Sequence, residues 1–238
     1  MENRFVMQLV LFGILAGFVL TAYSWNKTAV VNQEFAETAD QEVQEADAVP
    51  KKIALTFDDG PGKYTEALLD GLKERNVKAT FFVLGTNAES HRDLLKRMVE
   101  EGHVVGNHTY NHVELTEMAV DDACTELRKT NELIYQVTGQ STIYVRPPYG
   151  EWNDQLSKNC NMIRVLWSID PLDWSIHNRD KIVKHIVENA DDGSIILLHD
   201  IFENSVEAAL AVVDELKKEG YEFVTIDQLG ENPKIHVN

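Results

Sequence analysis

From residue 51 to about residue 229 the chain alternates between short apolar runs of strand length and amphipathic stretches of helical period, and few architectures accept that order. The runs at 53–57, 79–84, 103–106, 143–145, 163–167, 194–198 and 223–226 read as strands. The stretches at 64–75, 92–101, 120–138, 153–159, 180–190 and 205–219 read as helices. Gly102, Gly139, Gly193 and Gly220 stand just past helical stretches, where a C-terminal cap favours a residue free to take positive φ. Strands separated by crossover helices imply parallel pairing. Seven of them predict an α/β fold: a distorted (β/α) barrel, with its active site at the C-terminal ends of the strands. No internal repeat and no second domain is visible in this region.

The first 50 residues differ in kind. Residues 5–22 carry no charge and are interrupted only by Gln8, Gly13, Gly17 and Thr21. That is about the length needed to cross a bilayer core, roughly 20 apolar residues. It also exceeds the ~7–15 residues of a signal-peptide apolar region. The reading is a membrane anchor at 1–25; the alternative is a signal peptide cleaved near Ala22, with the protein then secreted. Residues 26–50 set Glu34, Glu37, Asp40, Glu42, Glu45 and Asp47 against a lone Lys27, a composition that solvates and repels itself. They are expected to be a stalk. The catalytic domain is then 51–230, outside the cytoplasm, with 231–238 a short tail.

Charge excludes one large class of partner. Lys and Arg number 22 against 39 Asp and Glu, a formal net charge of -17, whereas neutralising nucleic-acid phosphate needs clustered cations. The chain is expected to bind no nucleic acid and to act as a monomer. Cys124 and Cys160 are the only cysteines and form no Cys-x-x-Cys pair, which rules out a cysteine-built zinc or iron–sulfur centre. Nothing in their spacing demands proximity, so they are expected to be unbridged, although export would permit a bond.

Five polar clusters punctuate the strands. Thr56-Phe57-Asp58-Asp59-Gly60-Pro61 follows the first, His108-Thr109-Tyr110-Asn111-His112 the third, and Arg146-Pro147-Pro148-Tyr149-Gly150 the fourth. Asp170-Pro171-Leu172-Asp173-Trp174 follows the fifth, and Leu197-Leu198-His199-Asp200 ends the sixth. Taken singly, each has an ordinary explanation: a turn, a surface ion pair, a core histidine. Together they share one end of a barrel, and chance scatter does not respect strand direction. His108 and His112 are four apart, so in a helical turn their rings would share a face and could grip one metal. Thr109 stands where a His-Glu-x-x-His motif needs its base, so the base must come from elsewhere. Asp58 and Asp59 offer two carboxylates: one can complete a two-histidine, one-carboxylate metal site while the other handles a proton.

These motifs resemble, in order and at every position, those of the polysaccharide deacetylase family (the NodB homology domain of carbohydrate esterase family 4), over essentially residues 51–229. They are most similar to those of bacterial peptidoglycan N-acetylglucosamine deacetylases. The resemblance implies a divalent metal, zinc being the expected ion, held by Asp59, His108 and His112. It implies Asp58 as catalytic base, Arg146 as that base's partner, His199 as catalytic acid and Asp173 as the carboxylate behind it. Tyr149 would contribute a backbone N–H to the oxyanion, and Trp174 and Leu197 would wall the pocket for the acetyl methyl. The implied reaction removes N-acetyl groups from a cell-wall polysaccharide, peptidoglycan above all, and releases acetate. Chitin oligosaccharides, another exopolysaccharide or O-acetylated xylan are alternative substrates. A non-catalytic wall-binding module would have no need of both Asp58 and His199. A phosphatase would need a second carboxylate-rich metal cluster, which the sequence lacks.

Overall fold

Strand β1 (Lys51–Asp58) is buried on both faces from Ile53 to Asp58, the pattern of a strand inside a parallel sheet covered by helices. Around it, the computed structural model describes residues 50–230; the apolar N-terminal segment, the acidic stretch to residue 49 and the tail at 231–238 lie outside the described residues. After β1 come α1 (Thr65–Glu74), β2 (Thr80–Val83), α2 (Gly85–Ser90), α3 (Arg92–Glu100), β3 (Val104–Asn107), α4 (Val120–Thr138) and β4 (Tyr144–Val145). Then follow α5 (Asp154–Asn159), β5 (Ile163–Arg164), α6 (Arg179–Asn189), β6 (Ser194–His199), α7 (Glu203–Lys218) and β7 (Tyr221–Val224). No helix among the described residues is long and apolar enough to cross a membrane.

All pairings are parallel, as the alternation predicted. The sheet runs β5-β4-β3-β2-β1-β6, and β7 also pairs β1. One edge of β1 matches β6 from Ile53↔Ser194 to Asp58↔His199. Its other edge is divided: Lys51–Ala54 pair with β7, and Thr56–Asp58 pair with β2. The two ends of the sheet meet through the segment after β5. Ile169 N–H donates to the Ile195 carbonyl at 3.1 Å, and Leu197 N–H donates to the Ile169 carbonyl at 2.9 Å. The sheet thereby curls into a distorted barrel.

The fifth strand is shorter than its sequence suggests, for a reason visible in its carbonyls. Val165 N–H still reaches the Val145 carbonyl at 2.8 Å. The Val165 and Leu166 carbonyls then accept from the buried guanidinium of Arg146, at 3.3 and 3.1 Å, instead of from a neighbouring strand. Helix α2 was not anticipated: its sequence, Gly-Thr-Asn-Ala-Glu-Ser, buries only Gly85 and Ala88 and so has no apolar period to read. The longer helices follow the expected pattern. Helix α4 buries Ala123, Leu127, Thr130, Leu133 and Ile134 on one face and ends at Gly139, whose φ of 71° suits a residue without Cβ. Helix α7 buries Val206, Ala209, Val213 and Leu216 in the same way, against the core built on Leu55, Phe57 and Phe81.

The cysteines overturn the sequence expectation. Cys124 of α4 is joined to Cys160, the residue after α5, with the two Cα atoms 5.1 Å apart. Packing brings them together: Leu156, Trp152, Cys160 and Met162 around α5 share an apolar cluster with Ala123 and Leu127 of α4. The bond closes a loop over a sequence separation of 36 residues, so on the loop-entropy account it contributes about 3–4 kcal/mol by restricting the unfolded chain.

Candidate active site at the C-terminal strand ends

Strand register assembles the site before any side chain is considered. Asp58 ends β1 beside His199, which ends β6. His108 N–H donates to the carbonyl of Val83 at the end of β2, and Arg146 N–H to the carbonyl of Asn107 at the end of β3, both at 3.0 Å. Four chemically active residues from four strands therefore share one rim.

Asp58 and Asp59 are neighbours with opposite outlooks. Asp58 continues the strand and is buried, and its Oδ1 accepts from Arg146 Nη1 at 2.8 Å. Asp59 has φ 71°, which turns its carboxylate away from that pair. Its Oδ1 lies 3.4 Å from Nε2 of both His108 and His112. The same oxygen is buried without a hydrogen-bond partner. A buried acceptor facing two imidazole nitrogens is costly unless a cation lies among them. The three candidate ligand atoms lie within 4.8 Å of one another, the only such group of three among the described residues. Burial pushes His108 down, yet Asp58 and Asp59 leave its pKa raised; burial pushes Asp59 up, yet His108, His199 and His112 leave it lowered.

The two histidines converge by a different route from the one their spacing suggested. Residues 108–112 form no helical turn: Thr109 and His112 take φ of 67° and 56°, and the loop bends back on itself. His108 is buried, and its Nδ1–H donates to the Arg146 carbonyl at 2.6 Å, which leaves the Nε2 lone pair facing Asp59. His112 is half-buried. Its Nδ1 lies 3.5 Å from the Tyr149 hydroxyl, and the two rings meet edge to face. Tyr149 itself is left-handed at φ 62°, backbone strain of the kind that collects at functional sites.

Arg146 is fully buried and spends its donors inward. Besides Asp58 and the two strand carbonyls, it donates to Thr56 Oγ1 at 2.8 Å, and its guanidinium lies 4.3 Å from the centre of the Phe82 ring. Across the cavity, His199 Nδ1–H donates to Asp173 Oδ1 at 2.8 Å, and its backbone N–H donates to Asp173 Oδ2 at 2.9 Å. Burial alone would push His199 down; the hydrogen bond and charge of Asp173, with Asp58 and Asp59 beyond, raise its pKa to about 9.

These groups face a cavity of about 450 Å³. Trp174 and Leu197 line it, as do Tyr149 and His199. Asp173 lies beneath it, fully buried. All ten residues singled out from sequence are thus gathered in or directly under one cavity. Four lining residues were not among them: Pro147, Trp167, Asp170 and Phe202. Asp170 is half-buried and has its pKa raised by burial, Trp167 lies beside Arg146, and Phe202 meets His199 at 6.1 Å between ring centres. The signal for Asp170 was present, since it opens the cluster that ends in Trp174. Beneath the first turn, Asp200 is a buried carboxyl whose pKa burial raises to about 7. It accepts from Thr65 Oγ1 at 2.5 Å and occupies the space a Cβ on Gly60 would need.

A parallel β/α barrel with two imidazoles and a carboxylate around one point, a second carboxylate held by arginine, and a separate carboxylate-backed imidazole defines a class: barrels whose strand-end rim offers a set of metal-ligand atoms with further ionisable groups on either side. Within that class, this chain belongs to the polysaccharide deacetylase family, whose model matches residues 45–164. It is 42% identical over 187 residues to the peptidoglycan-N-acetylglucosamine deacetylase PgdA of Listeria monocytogenes, covering 78% of this chain and 40% of that protein. It is 39% identical over 191 residues to a peptidoglycan-N-acetylglucosamine deacetylase of Bacillus cereus, covering 77% of this chain and 70% of that protein. The structure of peptidoglycan deacetylase PdaC from Bacillus subtilis aligns with a TM-score of 0.74 at 42% identity, covering 76% of this chain and 90% of that one.

Proposed function

We propose that this chain is a metal-dependent hydrolase that removes N-acetyl groups from N-acetylglucosamine units of peptidoglycan, releasing acetate. The observation that carries the proposal is the divergence of Asp58 and Asp59: one carboxylate is tied to Arg146, and the other is orphaned between two imidazoles. Asp59, His108 and His112 are the proposed metal ligands, and a nitrogen, nitrogen and oxygen donor set suits zinc. When bound, a zinc ion there would supply a Lewis acid that polarises the acetyl carbonyl and acidifies a water.

The residues around that point divide the remaining work. Asp58 takes a proton from the attacking water on Oδ2, the oxygen nearer His108, while Arg146 holds the carboxylate by its Oδ1. The water oxygen bonds to the acetyl carbon. The backbone N–H of Tyr149 is the proposed donor to the oxyanion. Collapse breaks the carbon–nitrogen bond, and His199 gives its Nε2 proton to the departing nitrogen, so acetate and a free amine leave. Trp174 and Leu197 wall the pocket that receives the methyl group.

The reaction is tested by incubating the protein with whole peptidoglycan, chitin oligomers and acetylated xylan and measuring acetate. Acetate from peptidoglycan, abolished by a chelator and restored by zinc, is the expected result. Release from xylan alone would reassign the substrate, and no release from any of the three would sink the enzymatic reading. The acid role has its own test. His199 must be protonated to act, so kcat/KM should hold below its pKa and fall as pH rises through it. Asp173→Asn removes the main group that raises that pKa and should move the alkaline limb down by about one unit or more. An unmoved limb in that variant would remove His199 from the role.

The apolar run at 5–22 supports a further proposal: residues 1–25 anchor the protein in the membrane, 26–50 serve as a stalk, and a monomeric 51–230 domain meets the wall from outside. Finding the protein in the medium with residues 1–22 removed would favour secretion instead.

A further inference from the structure

The two proposed histidine ligands are oriented by unequal means. His108 is buried, with its Nδ1 tied to a main-chain carbonyl at 2.6 Å. The His112 ring is half-exposed, and its Nδ1 has only the Tyr149 hydroxyl at 3.5 Å, on a tyrosine that is itself 65% exposed. A contact that long holds little. His112 must therefore be aimed mainly by its backbone, which is left-handed at φ 56°.

The backbone between the histidines is gripped from two sides. On one side, at the start of α2, Gly85 N–H donates to the Thr109 carbonyl at 3.0 Å and Thr86 N–H to the Tyr110 carbonyl at 3.1 Å. On the other, buried Asn107 accepts from Thr109 N–H at 2.7 Å while its Nδ2 donates to the Leu127 carbonyl of α4 at 2.7 Å. These contacts secure the first half of the loop. The second half is held by Glu126 of α4. Its Oε2 accepts from Asn111 N–H at 3.0 Å and its Oε1 from Asn111 Nδ2–H at 2.9 Å. Asn111 is the residue immediately before His112.

On the reading that Asp59, His108 and His112 hold a metal, we infer that Glu126 is a positioning residue: its two-point grip on Asn111 fixes the backbone that aims His112 at the metal. The Glu126 carboxylate bonds Asn111 and none of the three proposed ligands. Its effect belongs to metal affinity, where groups that orient ligands are worth about 10–100-fold. It also stands two residues from Cys124, so the helix that carries the grip is itself fastened to the residue after α5.

The experiment titrates the purified full-length protein with zinc against a chromophoric chelator, for wild type, Glu126→Ala, Glu126→Gln and Glu132→Ala. Glu132 is an exposed carboxylate on the same helix whose ion-pair partner is Arg128, so it reports the loss of one negative charge. We expect Glu126→Ala to weaken zinc binding by about tenfold or more. Glu126→Gln keeps one acceptor for the Asn111 N–H and should recover part of that loss. Glu132→Ala should bind as wild type does. Zinc-saturated Glu126→Ala should keep its kcat to within about twofold, which separates a positioning role from a catalytic one. The inference is overturned if Glu126→Ala binds zinc as tightly as wild type, if Gln is no better than Ala, or if Glu132→Ala loses as much. If wild type binds no zinc, or Asp59→Ala binds it as well, the metal site itself fails, a result distinct from failure of the Glu126 grip.

Discussion

Asp58→Asn should retain stoichiometric metal and bind substrate while its turnover falls by roughly 10²–10⁴, the usual worth of a general base. The asparagine matches the carboxylate in shape and still offers Arg146 an oxygen, so the rim should keep its form. It cannot take a proton. Asp59→Ala should behave differently, because the orphaned oxygen facing His108 and His112 is lost. Metal content and activity should then disappear together. Metal analysis and acetate release on the two purified variants distinguish these outcomes from a plain turn-forming role for the pair. On that alternative both would lose about 1 kcal/mol of stability, as for a missing cap, and keep their activity. Near-normal turnover by Asp58→Asn would refute the proposed base.

Arg146→Met should be the most destabilising single change at the rim. The guanidinium is fully buried, as is the carboxylate it meets at 2.8 Å, and methionine would leave that carboxylate without its cation. Removing one partner of a buried ion pair costs about 3–5 kcal/mol, largely because the other charge is left uncompensated. The carbonyls of Val165 and Leu166 lose their donors as well, at the point where the barrel turns toward closure. For a domain of this size that is a fall in Tm of about 6–20 °C. The double variant Arg146→Met with Asp58→Asn removes the stranded charge and should regain a substantial part of the loss. Thermal denaturation of the two single variants and the double gives the coupling directly. Losses that simply add would mean that Arg146 acts through its other contacts, the Val165 and Leu166 carbonyls, Thr56 and the Phe82 ring, rather than through Asp58.

The parallel alternation from residue 51 onward was legible because it depends on period and caps, which are local properties of the chain. The location of the site was legible for a related reason. Parallel strands bury their lengths, so charged residues at strand boundaries have the rims as their place, and five clusters at the same end mark one of them. Asp58, Asp59, His108, His112, Arg146 and His199 could thus be named before a coordinate existed, and the family motifs divided the roles of the two carboxylates and supplied those of Tyr149, Asp173, Trp174 and Leu197.

Tertiary structure decided whatever depends on one segment meeting another. The Cys124–Cys160 bond follows from the apolar cluster that presses α5 onto α4, across 36 residues with no periodic signal of that meeting. The His108–His112 spacing suited a helical turn, but Asn107, Glu126 and the amides at the start of α2 bend that loop through two left-handed residues instead. Asp58 and Asp59 are equal as letters. They become different groups only because one carries the strand on toward Arg146 and the other turns at φ 71° toward the histidines. A sequence records each residue's own preferences. Which of two like residues is buried, paired or left to a metal is set by neighbours that only the folded chain supplies.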